Sequence, residues 1–343
     1  MLPNPNTLFA KAVEQRASDV HAAVAAPLFF RIDGQLVAQT EAALTVKDVD
    51  GFVAQVLDAQ QSKTLADTRE IDIAYALGGG VRLRINCHYE RGNAGLVARI
   101  IPSAIPSLGT LDLTTIASQI AGLHDGLVLF TGPTGAGKST ALASIIASIH
   151  ESRATSIVTL EDPIEFLFGE GKGIVRQRQL GSDFHSFAEA LKRVLRQDPN
   201  IIMVGEMRDP ETIAAALTLA ETGHLVLATL HTPNTVQAID RIIDVFPPHQ
   251  QPQVRSQLSL SLRMVVAQHL LPRVGGGRIA LREVLVTTPA VANTIRDARL
   301  QELASVLQTG SDKGMVPLEK EAKRLYKEGL IAKDVYERCV RVG

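Results

Sequence analysis

A chain of 343 residues is longer than one hydrophobic core usually serves, so two domains are expected, with room for a short C-terminal appendage. Hydrophobic residues at 45% and charged residues at 21% fit a soluble globular protein, and 35 basic against 36 acidic side chains remove bulk charge as a reason to bind nucleic acid. Two cysteines without C-x-x-C spacing, no apolar run of 18 residues and no signal-like N-terminus argue against a zinc site, a disulfide framework or membrane insertion, and fit a cytoplasmic location.

Residues 1–102 read as a small α+β domain. Thr7–Ala17 has helical periodicity, Pro27–Val37 reads as extended, and Val49–Gln61 as helical. Ile71–Leu77, Val81–Glu90 and Gly95–Pro102 then read as strands separated by Gly-rich turns. Prolines and glycines punctuate the following stretch, and a linker is placed over 103–113.

Over 114–288 the pattern changes. The apolar runs Gly126–Thr131, Ser156–Glu161, Ile201–Glu206 and His224–Leu230 alternate with the helical segments Lys138–His150, Phe187–Gln197 and Pro210–Thr222. Continuous Val/Ile/Leu runs between helices predict a parallel-rich sheet covered on both faces. A helical tail is expected over 289–343.

Between the first of these runs and its helix stands "GPTGAGKST": Gly132, Pro133, Thr134, Gly135, Ala136, Gly137, Lys138, Ser139 and Thr140. A Gly-rich turn between strand and helix presents backbone N–H groups to phosphate, and the helix N-terminus adds partial positive charge. In this P-loop, Lys138 is expected to reach the β and γ phosphates of ATP and Ser139 to ligand Mg²⁺. The bare pattern arises by chance in about one chain of this length in a hundred, and its position between strand and helix makes an empty turn less plausible still.

A P-loop needs a carboxylate at the end of a neighbouring strand. One candidate group is Glu161, Asp162 and Glu165 in "TLEDPIEF"; another is Glu206 in "IIMVGEMRD", which is favoured for chemistry and metal contact because it stands at the C-terminal edge of the sheet. Asp209, before "PETIAAAL", is equally well explained as a helix cap. Arg82 and Arg84 share one strand face, with Arg91 and Arg99 following; such arginines could act on a γ phosphate, or simply protect a sheet edge.

His224 and His231 bracket the run "LVLATL". Seven residues along an extended strand span about 23 Å, too far to share a metal ion. His231, at the C-terminal end, lies on the edge where Glu206 and the P-loop should gather. His224, at the other end, reads as a domain-contact, helix-capping or plain structural residue.

The ordered series "RASDVH", "RIDG", "GPTGAGKST", "EDPIEF", "LRQDPNIIMVGEMRDPETI", "ALTLAETGHL", "TLHT", "IDRIIDVFPP" and "QTGSDKGM" resembles the secretion and pilus ATPases of the type II/type IV pilus class, most closely the PilT-like retraction ATPases. The resemblance implies a RecA-like P-loop domain after a PAS-like N-terminal domain. It further implies a homo-hexameric ring that hydrolyses Mg²⁺–ATP at the inner face of the cytoplasmic membrane, against a platform protein and with a paralogous co-ATPase as a further partner. Glu161, Asp162 and Glu165 fall in its Asp box, Glu206 is its Walker B glutamate, His224 and His231 form its His box, and Arg84 and Arg99 match arginines that reach a neighbour's nucleotide.

Pilus retraction, and hence twitching motility or DNA uptake, is the function implied; service to a conjugation or type IV secretion apparatus, or an accessory ring with little turnover, are the alternatives. The tail departs from the family's AIRNLIRE, reading "AVANTIRD" with Ala292 in place of arginine and Thr294 in place of leucine. After "TLHT", Pro233 is expected to start the next helix. A four-cysteine zinc insertion found in assembly and type II secretion relatives is missing.

Overall fold

The computed structural model describes residues 2–32, 34–78, 80–101 and 104–342. The expected end of the first domain at residue 102, the expected linker start at residue 103, and Asp33 in "RIDG" lie outside the described residues. The chain divides into two compact units, Met1–Ala104 with Glu165–Leu167, and Ile105–Ile164 with Phe168–Gly343.

The first unit runs α1 (Pro5–Glu14), β1 (Asp19–Ala22), β2 (Phe29–Ile32), β3 (Gln35–Ala38), α2 (Val46–Val56), α3 (Ala59–Thr68), β4 (Glu70–Gly78), β5 (Val81–Glu90) and β6 (Asn93–Ile101). Its strands form an antiparallel sheet in the order β3-β2-β1-β6-β5-β4. Two expectations change for local reasons. The extended Pro27–Val37 stretch folds back into the β2–β3 hairpin, with Gly34 at φ +83° in its turn. The helical Val49–Gln61 stretch breaks at Leu57, because Asp58 and Gln61 exchange side-chain and backbone hydrogen bonds in a capping box that starts α3. Phe9, Phe30, Phe52, Leu83, Ile85 and Leu96 centre the core between helices and sheet, each such side chain contributing about 1.5–3 kcal/mol by leaving water.

The second unit begins with α4 (Thr114–Ala121), β7 (Gly126–Thr131), α5 (Lys138–Ser152), β8 (Ser156–Glu161), β9 (Ile174–Gln179), α6 (Phe187–Val194) and β10 (Ile201–Val204). It continues with α7 (Pro210–Glu221), β11 (Leu225–Thr229), α8 (Thr235–Asp244), α9 (Gln251–Ser261), β12 (Leu262–Pro272) and β13 (Arg278–Val286). The sheet order is β13-β12-β7-β11-β10-β8-β9, parallel throughout except for the β12–β13 hairpin. This is a RecA-like sheet in which β11 separates the strand before the P-loop from the strand before Glu206.

Burial on both faces explains the unbroken apolar runs. Leu127, Leu129, Ile202, Val204, Val226 and Ala228 pack toward α6–α9, while Val128, Phe130, Ile201, Met203, Leu225 and Leu227 pack toward α4 and α5. The tail forms α10 (Pro289–Arg296), α11 (Leu303–Thr309), α12 (Leu318–Lys327) and α13 (Lys333–Val342). Ala322, Leu325, Ile331 and Val335 from its last part bury against Leu281 of β13. No helix among the described residues is long and apolar enough to cross a membrane.

Candidate functional site

The site grows from the C-terminal ends of β7, β10 and β11, which stand side by side. Beyond β7, Gly135 and Gly137 both take φ +80°, a backbone state that other residues reach only with strain, and Gly137 is the N-cap of α5. The first N–H groups of α5 have no partner within the helix, as at every helix start, so this end is suited to an anion. Gly132 has a different reason to be glycine: a Cβ there would lie 2.1 Å from the carbonyl oxygen of Gln268 on β12.

Lys138 is buried, 7% exposed, with its ammonium donating to the carbonyls of Gly132 at 2.7 Å and Pro133 at 3.1 Å. The same Nζ lies 3.5 Å from His231 Nδ1. His231 Nε2 is 3.1 Å from Glu206 Oε1, which also accepts from Arg208 Nε at 2.7 Å. The result is a chain, Lys138–His231–Glu206–Arg208. Because an ammonium only donates, the Nδ1 facing it acts as acceptor, and the Nε2–H then donates to Glu206.

Burial works against the charge of Glu206, but the hydrogen bond from Arg208 and the interactions with His231 outweigh it, holding the carboxyl below its ordinary range. Such a group is a weak proton acceptor at neutral pH and a good hydrogen-bond acceptor, which suits orienting a water molecule. Two further contacts tie the strand ends together: Thr131 donates to the Thr232 carbonyl at 2.6 Å, and Thr229 donates to the Gly205 carbonyl.

Glu161, at the end of β8, is 7% exposed, and its Oε1 accepts from Thr159 at 2.6 Å and from Gln177 at 3.0 Å. Asp162 follows it, exposed, and its charge acts on Arg208. Glu165 groups with the first unit. Asp209 caps α7, accepting from the Thr212 N–H at 2.8 Å and its hydroxyl at 2.7 Å. Pro233 does not open α8 as expected: Asn234 is the N-cap, its side chain accepting from Gln237 N–H, and Pro233 stays outside the helix with its carbonyl 2.8 Å from His269 Nε2. Among the described residues, no group of three His, Cys, Asp or Glu side chains is placed to hold a metal.

His224 sits at the opposite end of β11. Its N–H donates to the Leu219 carbonyl at 3.2 Å, its Nδ1 lies 3.3 Å from the same oxygen, and its own carbonyl accepts from Gly126 N–H at 3.0 Å. It therefore ties the end of α7 to the start of β7.

In the first unit, Arg84 and Arg99 are directly opposite on β5 and β6, so their side chains share one face with that of Arg82. Arg84 Nε lies 3.6 Å from Asp72, and Arg99 Nε 2.9 Å from Asp19, which keeps two like charges side by side. The β5 strand lies between β4 and β6, so protection of a sheet edge, one expectation for these arginines, does not apply to it. Arg91 stands apart at the tip of the β5–β6 hairpin, at φ +50°.

Sequence reasoning missed Arg208 and Thr232. Arg208 lies within the quoted "GEMRD", two residues beyond the glutamate it pairs with, and Thr232 ends "TLHT"; position after a strand end is the signal that could have found both.

Residues 3–313 match the family described as type II/IV secretion system protein. The chain belongs to that family. It is 40% identical over 327 residues to the type IV pilus retraction ATPase PilT of Pseudomonas aeruginosa, covering 95% of each chain. The crystal structure of the pilus retraction motor PilT with bound ADP superposes with a TM-score of 0.90 at 39% identity, covering 98% of this chain and 97% of that one. The Legionella pneumophila ATPase DotB gives 0.85 at 28% identity, covering 99% and 97%. Where this member of the family departs from the tail motif, α10 buries Val291, Thr294 and Ile295; the Thr294 hydroxyl donates to the Ala290 carbonyl at 2.9 Å, so a polar group fills an apolar position without being left unpaired. Ala292 is half-buried.

Proposed function

We propose that the protein is an ATPase motor for type IV pilus retraction, binding Mg²⁺–ATP at Gly132–Thr140 and releasing ADP and phosphate. The observation that carries this reading is the Lys138–His231–Glu206 chain at the C-terminal edge of a RecA-like sheet. Lys138 leaves its loop carbonyls for the β and γ phosphates, and the loop N–H groups hold the remaining phosphate oxygens. Glu206 orients the attacking water, while His231, in contact with both, registers whether a γ phosphate is present. The exposed Ser139 hydroxyl at the start of α5 and the Glu206 carboxylate would hold Mg²⁺, which would supply positive charge against the charge developing in hydrolysis.

The working unit is a homo-hexamer at the cytoplasmic face of the inner membrane, acting on a platform protein. Arg84 and Arg99 serve the nucleotide of a neighbouring subunit, the Asp-box group Glu161, Asp162 and Glu165 supports the catalytic end, and His224 passes movement of β11 to α7. Mixed rings test the arginines: Arg84→Ala and Lys138→Ala proteins, each inactive alone, should regain about a quarter of wild-type turnover when combined 1:1, since complementary subunits form some intact sites. No recovery in rings shown to be mixed would remove the arginine from that role.

The DotB likeness keeps a secretion-apparatus ATPase as a second reading. The higher identity and TM-score with PilT favour retraction, and the intact Lys138, Ser139 and Glu206 speak against an idle accessory ring. Deleting the gene and counting surface pili decides the matter. More pili with loss of twitching supports retraction; fewer pili, or none changed, rejects it.

A further inference from the structure

Beneath the P-loop lies a polar pair that the proposed chemistry does not use. Gln268 on β12 and Arg282 on β13 are directly opposite in the hairpin, 2% and 5% exposed. Gln268 Nε2 donates to the Ala136 carbonyl at 2.6 Å, and its Oε1 accepts from Arg282 Nε at 2.7 Å. Arg282 Nη1 donates in turn to the Asp112 carbonyl at 3.1 Å.

Burying a guanidinium is costly, and burial pushes its pKa down to about 10, with the carboxylates of Asp112 and Glu321 supporting its charge and Arg324 opposing it. A neutral side chain would fill the sheet at lower cost, so packing alone does not account for an arginine here. Its donors do. A glutamine amide can flip, exchanging its oxygen and nitrogen, but a guanidinium has donors only. With Arg282 in place, the oxygen must face Arg282 and the NH₂ must face Ala136.

That orientation reaches the phosphate site through the geometry of one peptide unit. The C=O of Ala136 and the N–H of Gly137 belong to the same planar trans peptide and point in opposite directions. Holding the carbonyl down on Gln268 turns the Gly137 N–H away from β12, outward from the sheet. Gly137, at φ +80°, has the freedom to let this peptide rotate if the hold is lost.

We propose that Gln268 and Arg282 are positioning residues for nucleotide binding, locking the Ala136–Gly137 peptide with its N–H presented to phosphate. The inference rests on the P-loop reading above and assigns work to two residues outside the loop. Arg282→Met removes the lock. Gln268→Glu keeps the partner of Arg282, and so the sheet contact, but sets a carboxylate against the Ala136 carbonyl.

The test uses the full-length protein, with a fluorescent ADP analogue for affinity and steady-state ATP turnover for kinetics. Both variants should raise the Kd for ADP and the KM for ATP about ten-fold, the size expected for misdirecting one charge-assisted hydrogen bond, while kcat stays within about three-fold. Arg282→Lys, which can satisfy the two acceptors only in part, should fall between. Should Arg282→Met fail to fold, Gln268→Glu decides alone. Wild-type affinity in a folded Gln268→Glu protein, or a loss confined to kcat, overturns the proposal. Lys138→Ala is the control: if it too leaves affinity unchanged, the P-loop reading has failed, and if it weakens binding while Gln268→Glu does not, only the positioning role has.

Discussion

Replacing Lys138 by alanine is expected to lower ATP turnover by about three orders of magnitude and to weaken nucleotide binding with it. The lysine is buried at the base of the loop, and its ammonium already spans two carbonyls, Gly132 and Pro133, and approaches His231. Truncation withdraws the cation that would face the β and γ phosphates. It also leaves two carbonyls short of a donor, a cost of about 1–3 kcal/mol for each that stays buried. Phosphate release by the purified variant measures the first effect, and a thermal melt the second. Turnover near wild type would show that hydrolysis occurs elsewhere.

Glu206→Gln should separate binding from turnover. The amide keeps an oxygen that can accept from His231 Nε2–H and from Arg208, so the chain of contacts survives, but the negative charge does not. Nucleotide affinity should remain within a few-fold, while turnover falls by about 10²–10³, the size of effect seen when one preorganised electrostatic group at the reacting atoms is lost. Single-turnover hydrolysis set beside equilibrium binding is the measurement, and unchanged turnover would remove Glu206 from the role. The wild-type pH profile offers a further check. Burial opposes its charge, but Arg208 and His231 outweigh burial and hold this carboxyl below the ordinary glutamate range, so it stays ionised at neutral pH. Its contribution is therefore fully present at neutral pH and is lost only as pH falls below the ordinary glutamate range, through the lowered folded-state value.

The central sheet is legible in the sequence because β7, β8, β10 and β11 are buried on both faces and leave uninterrupted apolar runs. Less legible are strands with mixed surroundings. In β9, "IVRQRQ" is a half-exposed edge whose polar residues hide it, and β12 carries Gln268 and His269 within an apolar stretch. The β2–β3 hairpin and the α2–α3 break turn on two or three residues each, too few to shift a periodicity. At the candidate site, Lys138 and Glu206 announce themselves by motif and strand position. Arg208, Thr232 and Gln268 do not, since each acquires its partner from sheet register: Gln268 meets the P-loop only because β12 pairs with β7 with Ala267 opposite Thr131.

That pairing also bears on how this sequence can change over time. The atom that would collide with a side chain at position 132 is a main-chain oxygen of β12. No substitution at Gln268 can trim it away, because every amino acid carries the same carbonyl. Gly132 is thus closed to drift by geometry, with no second-site change able to reopen it. Lys138 is constrained by chemistry, so the two positions resist change for different physical reasons. Invariance across relatives would therefore not separate the glycine that shapes the loop from the lysine proposed to meet phosphate.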